Sequence, residues 1–372
     1  MSKVNKYRPQ KILVESSVKN LPLTKTVIKK LEGVDVEYRN HLPTLPSERS
    51  HDPWLDGQKT LLLCRNKGRF FEPCPGTNNY LCCSYKILNF AANCHLNCTY
   101  CILQAYLNNP FMVLYTNTDD MFKELDEFLN KPPKTILRVG TGEYTDSLIL
   151  DHLTSFTQLI VPYFASKDNV FLELKTKTNL IENLEGLEHG EKTILSWSLN
   201  AESIIQSEEA HTCSLDDRIK AAYQCQKWGY KLGFHFDPLI YYPGWEDGYK
   251  RVLEKLFRTI DPVSILWISL GCFRFIPKLK PVIKTRHPES RILYQEFIRG
   301  VDGKMRYFKP VRIEMYTKMA EWIKRYAPGV FIYLCMESEE VWRKSLGFAP
   351  RSNQDLKKQL DNQCRDLTQN LQ

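Results

Sequence analysis

Three cysteines with a short, regular spacing are the residues of this sequence best suited to chemistry. Cys94, Cys98 and Cys101 form the pattern CxxxCxxC directly after an apolar segment. Three thiolates on one short loop can hold three irons of a 4Fe–4S cluster. The fourth iron then lacks a protein ligand and can take up a small molecule, whereas an electron carrier needs four cysteines. The spacing therefore predicts a catalytic iron–sulfur cluster.

A zinc site is the main alternative for this motif. Structural zinc prefers a CxxC pair that is followed by a second pair or by histidine. The chain has no second CxxC pair, and His95 lies between two of the cysteines, where it cannot easily reach the same ion. We therefore favour the cluster.

Three further cysteines precede the motif and leave several interpretations open. Cys74, Cys82 and Cys83 bring the total between residues 74 and 101 to six. They are compatible with a second cluster, with a redox pair, or with packing beneath the cluster loop. Adjacent residues of an extended chain point to opposite sides, which disfavours joint binding of one metal by Cys82 and Cys83.

The composition is that of an ordinary soluble globular protein. Of the 372 residues, 43% are apolar and 25% are charged, and the formal net charge is +8. No apolar run is long enough to span a membrane, and the N-terminus has no secretory signal. We expect a cytoplasmic protein with no membrane contact, in which the twelve cysteines stay reduced.

Four regions follow one another along the chain. Residues 1–85 indicate a small α/β lead-in, and residues 86–272 alternate strands with helices. Residues 273–350 form a basic extension with a hairpin, and residues 351–372 a polar tail that we expect to be frayed. The candidate strands of the alternating region are 86–92, 135–140, 170–176, 193–200, 231–236 and 264–271.

This alternation predicts a parallel sheet whose functional groups collect at the carboxyl ends of its strands. Periodicity alone does not separate a barrel from an open sheet. Asp237 closes the fifth candidate strand and is therefore a candidate for binding ribose hydroxyls or substrate, or else a cap for the following loop. His235 alternates with it and is expected in the core or behind the site.

The cluster motif resembles that of the radical S-adenosylmethionine superfamily. The resemblance implies that Tyr100 packs on the adenine of the cofactor. Gly140-Thr141-Gly142-Glu143 resembles the superfamily's GGE motif, in which backbone and carboxylate bind the cofactor's ammonium. A carboxylate is a suitable partner for a charged ammonium in a partly desolvated site. The alternative for Glu143 is an acid on a surface loop.

Longer matches make the chain similar to the spore photoproduct lyase family. They include KILNFAANCHLNCTYCILQAYL, SLNAE and GWEDGY, and extend over roughly residues 10–335. The resemblance implies a partial (β/α)6 TIM-type barrel and a lyase that uses a 5′-deoxyadenosyl radical to repair a thymine dimer in DNA. It further implies cofactor contacts by Lys177 and Ser198. A flavodoxin or ferredoxin is the expected electron donor.

Two positions depart from this family. Glu143 stands where the lyase has a cysteine that returns a hydrogen atom to the product radical, and Ile102 replaces a tyrosine after the third cluster cysteine. A carboxylate is a poor hydrogen-atom donor compared with a thiol. Tyr144, beside Glu143, or Cys272, at the end of the sixth strand, are candidate substitutes.

A basic segment suggests a nucleic-acid partner. Residues 274–312 contain eleven Lys or Arg against three acids, interleaved with aromatic residues. Basic groups bind phosphate without sequence preference, and aromatic rings stack on exposed bases. Arg274 lies in this segment, and the resemblance places Lys304, Arg306 and Tyr307 on a hairpin wedge that holds the duplex open. The alternative is a solvated basic face.

Three functions are compatible with these features. The first is repair of a DNA lesion by radical chemistry. The second is a radical enzyme acting on another nucleic acid, a nucleotide or a peptide, which the loss of the cysteine at Glu143 favours. The third is a binding protein that keeps its cluster for structure or sensing, which would not need Lys177 and Ser198 at successive strand ends. The oligomeric state is left open.

Overall fold

The computed structural model describes residues 6–45, 52–77, 79–130, 133 and 135–369. The strands in these ranges are β1 (Lys11–Glu15), β2 (Asp35–Arg39), β3 (Thr60–Cys64), β4 (Phe71–Pro73), β5 (Lys86–Leu88), β6 (Ala91–Ala92), β7 (Met112–Tyr115), β8 (Leu137–Gly140), β9 (Val170–Thr176), β10 (Thr193–Ser198), β11 (Lys231–Leu239), β12 (Ile265–Cys272), β13 (Arg274–Phe275), β14 (Phe297–Arg299), β15 (Met305–Tyr307) and β16 (Phe331–Leu334).

The helices in the same ranges are α1 (Pro22–Lys30), α2 (Pro53–Gln58), α3 (Leu103–Tyr106), α4 (Thr118–Leu129), α5 (Asp151–Thr154), α6 (Phe156–Ala165), α7 (Glu202–Glu208), α8 (Leu215–Lys227), α9 (Trp245–Thr259), α10 (Leu279–Arg286), α11 (Lys309–Tyr326), α12 (Glu339–Leu346) and α13 (Asn353–Gln369). None of these helices is long and apolar enough to cross a membrane.

A large sheet forms the centre of the molecule. Its strand order is β16-β12-β11-β10-β9-β8-β5-β4, and all neighbouring pairs are parallel except β4 with β5. Every residue of β10 and β12 is buried, as expected for parallel strands covered by helices on both faces. The predicted α/β fold is confirmed. The sheet is open, with β16 and β4 at its edges.

The segment predicted as the first strand of the alternating region forms two strands. Residues 86–92 divide into β5, which pairs with β8 in the large sheet, and β6, which pairs with β7 in a second sheet. The prediction of one continuous strand was wrong because an apolar run does not reveal where the chain changes sheets. A strand beyond the alternating region, β16, extends the large sheet beside β12.

The second sheet carries the loop with the three-cysteine motif. Its order is β2-β1-β3-β7-β6, and residues 93–111, between β6 and β7, contain the motif. Leu13, Leu62, Phe111 and Val113 pack together on one face of this sheet, and the other face joins the main core. The loop therefore begins and ends in one sheet and lies against the end of the other.

The basic extension is built on a hairpin and a long helix. β14 and β15 pair antiparallel around the turn at Asp302–Gly303, and β13 pairs with the other edge of β15. Gly303 has a φ of +79°, a conformation that favours glycine. The tail was expected to be frayed, but it forms α13, whose Leu356, Leu360 and Cys364 are fully buried. Apolar residues four apart place these three on one helical face.

Candidate active site

A cavity of about 470 Å³ lies where the large sheet meets the cysteine loop. Residues at the carboxyl ends of β8, β9, β10, β11 and β16 line it, as the fold class predicts for a functional site. Its wall includes most of the residues singled out in the sequence: Cys94, Cys98, Tyr100, Cys101, Gly142, Glu143, Tyr144, Lys177, Ser198, Asp237, Arg274 and Lys304.

The cysteine loop is shaped by amide side chains that bind its own backbone. Asn93 and Asn97 adopt left-handed conformations with φ of 73° and 51°, which asparagine tolerates better than most residues. The Asn93 side-chain amide donates to the Pro110 carbonyl at 2.7 Å. Gln104 Nε2 donates to the carbonyls of Cys98 and Thr99 at 2.9 and 3.2 Å. These bonds satisfy backbone groups that the cysteine loop would otherwise bury unpaired.

Arg286 fastens this loop to the basic extension. Its Nε lies 3.0 Å from Asp52 Oδ2, one Nη donates to Asn97 Oδ1 at 3.0 Å, and the other donates to Gln104 Oε1. The side chain is 9% exposed. One guanidinium thus joins the end of α10 to the start of α2, the loop and α3. The sequence did not single out Arg286, because it lies 182 residues from Gln104.

The three thiols suit a cluster better than a single ion. Cys94, Cys98 and Cys101 are free and line one cavity. Among the described residues, no three His, Cys, Asp or Glu side chains converge as ligands of one metal ion would. Ligands of a 4Fe–4S cluster bind different irons and therefore stand farther apart than ligands that share one ion. Burial raises the pKa of the Cys101 thiol, and Lys177 and Arg286 oppose that rise.

A buried ionic network backs the loop. Tyr100 donates its hydroxyl hydrogen to Glu209 Oε1, and Lys177 Nζ lies 2.9 Å from the Tyr100 hydroxyl and 3.4 Å from Glu209 Oε1. Arg218 donates to Glu209 Oε2 and, at 2.9 Å, to the Ser198 carbonyl. Burial alone would raise the pKa of Glu209, but Arg218 and Lys177 lower it to about 2. Glu209 therefore fixes Tyr100 and Lys177 in position.

Glu143 points into the cavity and accepts a hydrogen bond from Tyr85. The Tyr85 hydroxyl donates to Glu143 Oε1. A side chain at Gly142 would be crowded, since a Cβ there would lie 3.0 Å from Lys175 Cβ. The bare backbone at Gly142, next to the Glu143 carboxylate, is compatible with the expected binding of an ammonium group.

The two residues proposed from the sequence as alternative hydrogen donors are placed differently. Tyr144 lines the cavity and stacks on Tyr106, with ring centroids 6.1 Å apart. Cys272 is 2% exposed, and its thiol contacts Met315 Sδ at 3.8 Å. It does not belong to the described wall of the cavity.

Asp237 is paired within the protein. Arg274 binds both of its carboxylate oxygens at 3.0 Å, and both side chains line the cavity. The pairing leaves Arg274 in the cavity wall rather than on an outer basic face. Although burial opposes it, Arg274 lowers the pKa of Asp237. The neutral-pH state of the pair is therefore an ion pair.

A second buried carboxylate in the cavity wall was missed by the sequence analysis. Glu173 Oε1 accepts from Ser196 Oγ at 2.6 Å and lies 2.8 Å from His235 Nε2. Burial alone would raise the pKa of Glu173, but other groups, chiefly His235, lower it to about 2. His235 was expected in the core or behind the site, but it lines the cavity together with its partner Glu173. The signal in the sequence was the acid inside the apolar strand VFLELKT.

The hairpin residues expected on a wedge are only partly available to a ligand. Lys304 lines the cavity, and its Nζ lies 3.6 Å from Met336 Sδ. Arg306 and Tyr307 are each 1% exposed, and Arg306 donates to Asp302 Oδ2 at 2.7 Å. The expectation that these two contact DNA is corrected by their burial. The two adjacent residues face opposite sides of β15, and the protein covers both sides there; the exposed hairpin residues are instead Ile298, Arg299 and Val301.

Comparison with known proteins gives a consistent result. The family model for spore photoproduct lyase matches residues 7–333. The spore photoproduct lyase of Bacillus subtilis (strain 168) is 27% identical over 300 residues, which cover 78% of this chain and 86% of its own. That of Geobacillus sp. (strain Y412MC61) is 26% identical over 338 residues, covering 87% of this chain and 97% of its own.

Solved structures agree over the same length. A cysteine-to-alanine mutant of spore photoproduct lyase with dinucleoside spore photoproduct superimposes with a TM-score of 0.80 at 26% identity, covering 88% of this chain and 99% of its own. A double mutant with bound AdoMet and the same dinucleoside gives a TM-score of 0.79 at 25% identity, with the same coverage.

Proposed function

This chain belongs to the spore photoproduct lyase family, and on that premise we propose that it repairs a thymine-dimer photoproduct in DNA by radical S-adenosylmethionine chemistry. The lyase class of enzyme predicted from the sequence follows from the family. One observation carries the proposal. The three motif cysteines and the polar groups at successive strand ends, which belong to separate parts of the sequence, line a single cavity.

Cys94, Cys98 and Cys101 would hold the cluster and leave one iron for the cofactor. When bound, the cluster supplies the electron that cleaves S-adenosylmethionine, and the resulting 5′-deoxyadenosyl radical abstracts a hydrogen atom from the lesion. The loop contributes by fixing the three thiols on one side of the cavity. Its amide-to-carbonyl bonds from Asn93 and Gln104 keep that arrangement before anything binds.

Charged and aromatic side chains would hold the cofactor's two ends. Glu143 and the bare backbone at Gly142 suit the ammonium, because a carboxylate makes a charge-assisted hydrogen bond there. Tyr100 and Ser198 suit the adenosine end, with Lys177 beside the Tyr100 ring at 5.2 Å. Asp237 and Arg274 also line this cavity, and each side chain compensates the charge of the other.

Damaged duplex DNA is the proposed partner. A base inside a duplex cannot reach an internal cavity, so the lesion must leave the stack. The hairpin of β14 and β15 has Lys304 in the cavity wall and exposes Arg299 and Val301. We infer that flipped nucleotides pass this hairpin on their way into the cavity. We also propose that the open sheet curves as a partial barrel around the cavity, and that a flavodoxin or ferredoxin supplies electrons.

The test is an anaerobic repair assay. Reconstituted, reduced protein is incubated with S-adenosylmethionine and a duplex oligonucleotide that carries the spore thymine dimer. Chromatography then follows 5′-deoxyadenosine and the repaired thymines. We expect both products, and neither from Cys98→Ala, which removes one cluster ligand. Absence of both products in the parent protein would overturn the proposal.

A second candidate is a radical enzyme that acts on another substrate. Glu143 favours this second candidate. Its carboxylate accepts a hydrogen bond from Tyr85 and cannot return a hydrogen atom as the family's cysteine does. The same assay separates the two. Formation of 5′-deoxyadenosine without repair of the dimer would support the second candidate.

A further inference from the structure

Four thiols outside the cluster motif line the same cavity. They are Cys74, Cys82, Cys83 and Cys335, and all are free. Nothing in the proposed cofactor binding uses them. Thiols that line the cavity of a radical reaction affect that reaction, because an S–H bond is a good hydrogen-atom donor. A radical in the cavity would also react with thiols that have no role in catalysis.

A turn between β4 and β5 brings two of these thiols together. The Cys74 amide donates to the Tyr85 carbonyl at 3.1 Å, which closes the base of the turn. Gly76 has a φ of +57°, and a Cβ at that position would lie 3.4 Å from Cys82 Sγ. The thiols of Cys74 and Cys82 are close enough for each to affect the pKa of the other, and Cys82 also interacts with Cys83. The backbone thus holds Cys74 and Cys82 as a pair.

The pair lies next to the position where the family's cysteine is missing. Tyr85, at the end of the same turn, donates its hydroxyl hydrogen to Glu143. Gly140, three residues before Glu143, packs so closely on Tyr85 that a Cβ there would lie 2.6 Å from Tyr85 Cε2. The charge of Glu143 also acts on the Cys74 thiol. Two thiols and the substituted carboxylate therefore share one end of the cavity.

We propose that Cys74, paired with Cys82, returns the hydrogen atom to the product radical in place of the missing cysteine. This inference rests on the proposed function. It gives the turn between β4 and β5 a catalytic role and explains how the position after β8 could become a carboxylate without loss of the terminal step.

The electrons balance through a disulfide. The S–H bond of Cys74 breaks, a C–H bond forms on the product radical, and an unpaired electron stays on the Cys74 sulfur. The Cys82 thiol releases its proton to solvent, and the Cys82 sulfur bonds to the Cys74 sulfur. One electron leaves to an oxidised iron–sulfur or flavin electron carrier, which gives the disulfide. A dithiol reductant of the thioredoxin class then restores both thiols.

A site for a single metal ion fits these cysteines less well. Among the described residues, no set of three ligands converges as a single metal ion needs. Cys335 receives a hydrogen bond from Arg274 at 3.5 Å and belongs to the wall with Asp237. The interaction with Cys82, together with burial, raises the pKa of the Cys74 thiol, which therefore keeps its hydrogen at neutral pH.

Deuterium labelling tests the donor. Thiol hydrogens exchange with solvent, so repair in D2O by the parent protein should place one deuterium in the repaired thymines. In Cys74→Ala, we expect the ratio of repaired product to 5′-deoxyadenosine to fall at least tenfold, with the label lost. Cys64→Ala is the matched control, because this half-buried thiol lies in β3, outside the cavity wall. An unchanged ratio and label in Cys74→Ala would overturn the proposal.

Peptide mapping tests the pair independently of repair. Reconstituted protein is treated with a mild thiol oxidant, its free thiols are alkylated, and its peptides are analysed by mass spectrometry. We expect a Cys74–Cys82 disulfide while the cluster stays intact. If the cluster-loaded protein forms no such link, the pair is refuted. If the link forms but the parent protein makes no 5′-deoxyadenosine, it is the proposed function that fails.

Discussion

Glu209 is a carboxylate with no exposed side-chain surface, and three groups bind it at once. Arg218, Lys177 and the Tyr100 hydroxyl surround it, so its loss would leave two cations buried without their counter-ion. Breaking one partner of a buried ion pair typically costs about 3–5 kcal/mol. Glu209→Gln should lower the free energy of unfolding by that order at neutral pH, measured by urea denaturation without oxygen.

The pH dependence of this effect has a defined sign. The folded-state pKa of Glu209 lies at about 2, below its ordinary value of 4.5. The stabilisation is therefore full above about pH 4.5 and is lost as the pH falls toward 2. The difference between the parent protein and Glu209→Gln should shrink over that window. A difference that stayed constant down to pH 2 would show that the charge is not its source.

Glu143 should matter for binding the cofactor. Hydrogen bonds to charged groups contribute about 1.5–3 kcal/mol, and 1.4 kcal/mol corresponds to a factor of ten in affinity. Glu143→Gln still accepts from Tyr85 but lacks the charge. We expect its dissociation constant for S-adenosylmethionine to rise roughly 10- to 100-fold in equilibrium dialysis of reconstituted protein. Glu296→Gln, an exposed acid outside the cavity, should bind like the parent. Equal affinities for all three would remove Glu143 from the site.

Sequence reasoning located residues that follow strands but not residues that reach across the fold. Glu143, Lys177 and Ser198 were named from the family resemblance, and they line one cavity because parallel strands deliver their carboxyl ends to one place. Glu209 was missed because it lies on a helix end, 109 residues from Tyr100. No local pattern in a sequence reports such a pairing.

At the scale of elements, α10 and the cysteine loop are joined by the Arg286 side chain. Its planar guanidinium binds three partners at once, which the single ammonium of lysine cannot copy. Arg286→Lys and Arg286→Ala should both reconstitute with less iron and labile sulfide per chain than the parent protein. Arg291→Ala, an exposed neighbour in the same basic segment, should reconstitute normally. Full iron content in both Arg286 variants would show that the loop keeps its shape without this contact.

The hairpin of β14 and β15 supports a different prediction, on affinity for DNA. Arg299 is exposed there, whereas Arg306 is committed to Asp302. Each phosphate contact contributes about 0.9 to the slope of log affinity against log salt concentration. Arg299→Ala should weaken binding to duplex DNA of any sequence and reduce that slope by about 0.9, measured by fluorescence anisotropy. Lys220→Ala, exposed on α8, serves as the control. An unchanged slope would exclude Arg299 from the interface.

Elements were predicted best where the chain stays in one sheet. The strands β9 to β12 lie close to their expected positions, since long buried apolar runs define them. The break between β5 and β6 was not predictable, because both halves are equally apolar. The inward turn of Arg306 was missed for a related reason. Alternation shows that neighbouring residues face opposite ways, but it does not show which face the rest of the protein covers.

At the scale of the whole molecule, the cysteine loop lies between the large sheet and the second sheet, which ends in β6. The large sheet has two strands buried along their whole length, whereas β6 is two residues long. Metal sites stabilise the segments that hold them. Removing the cluster with a chelator should speed hydrogen exchange in residues 91–115 and leave β10 to β12 unchanged. A uniform increase along the chain would instead indicate that the cluster stabilises the whole fold.

The Arg286 contact also has a thermodynamic consequence. Two binding events that depend on the same contact are linked, and the coupling free energy is equal in both directions. Suppose that duplex DNA shifts α10 when it binds to the basic extension. The affinity of the loop for iron then changes by some factor, and the affinity of the extension for DNA changes by the same factor when iron is bound. A single guanidinium would then link the loading of the loop with iron to the binding of DNA by the basic extension.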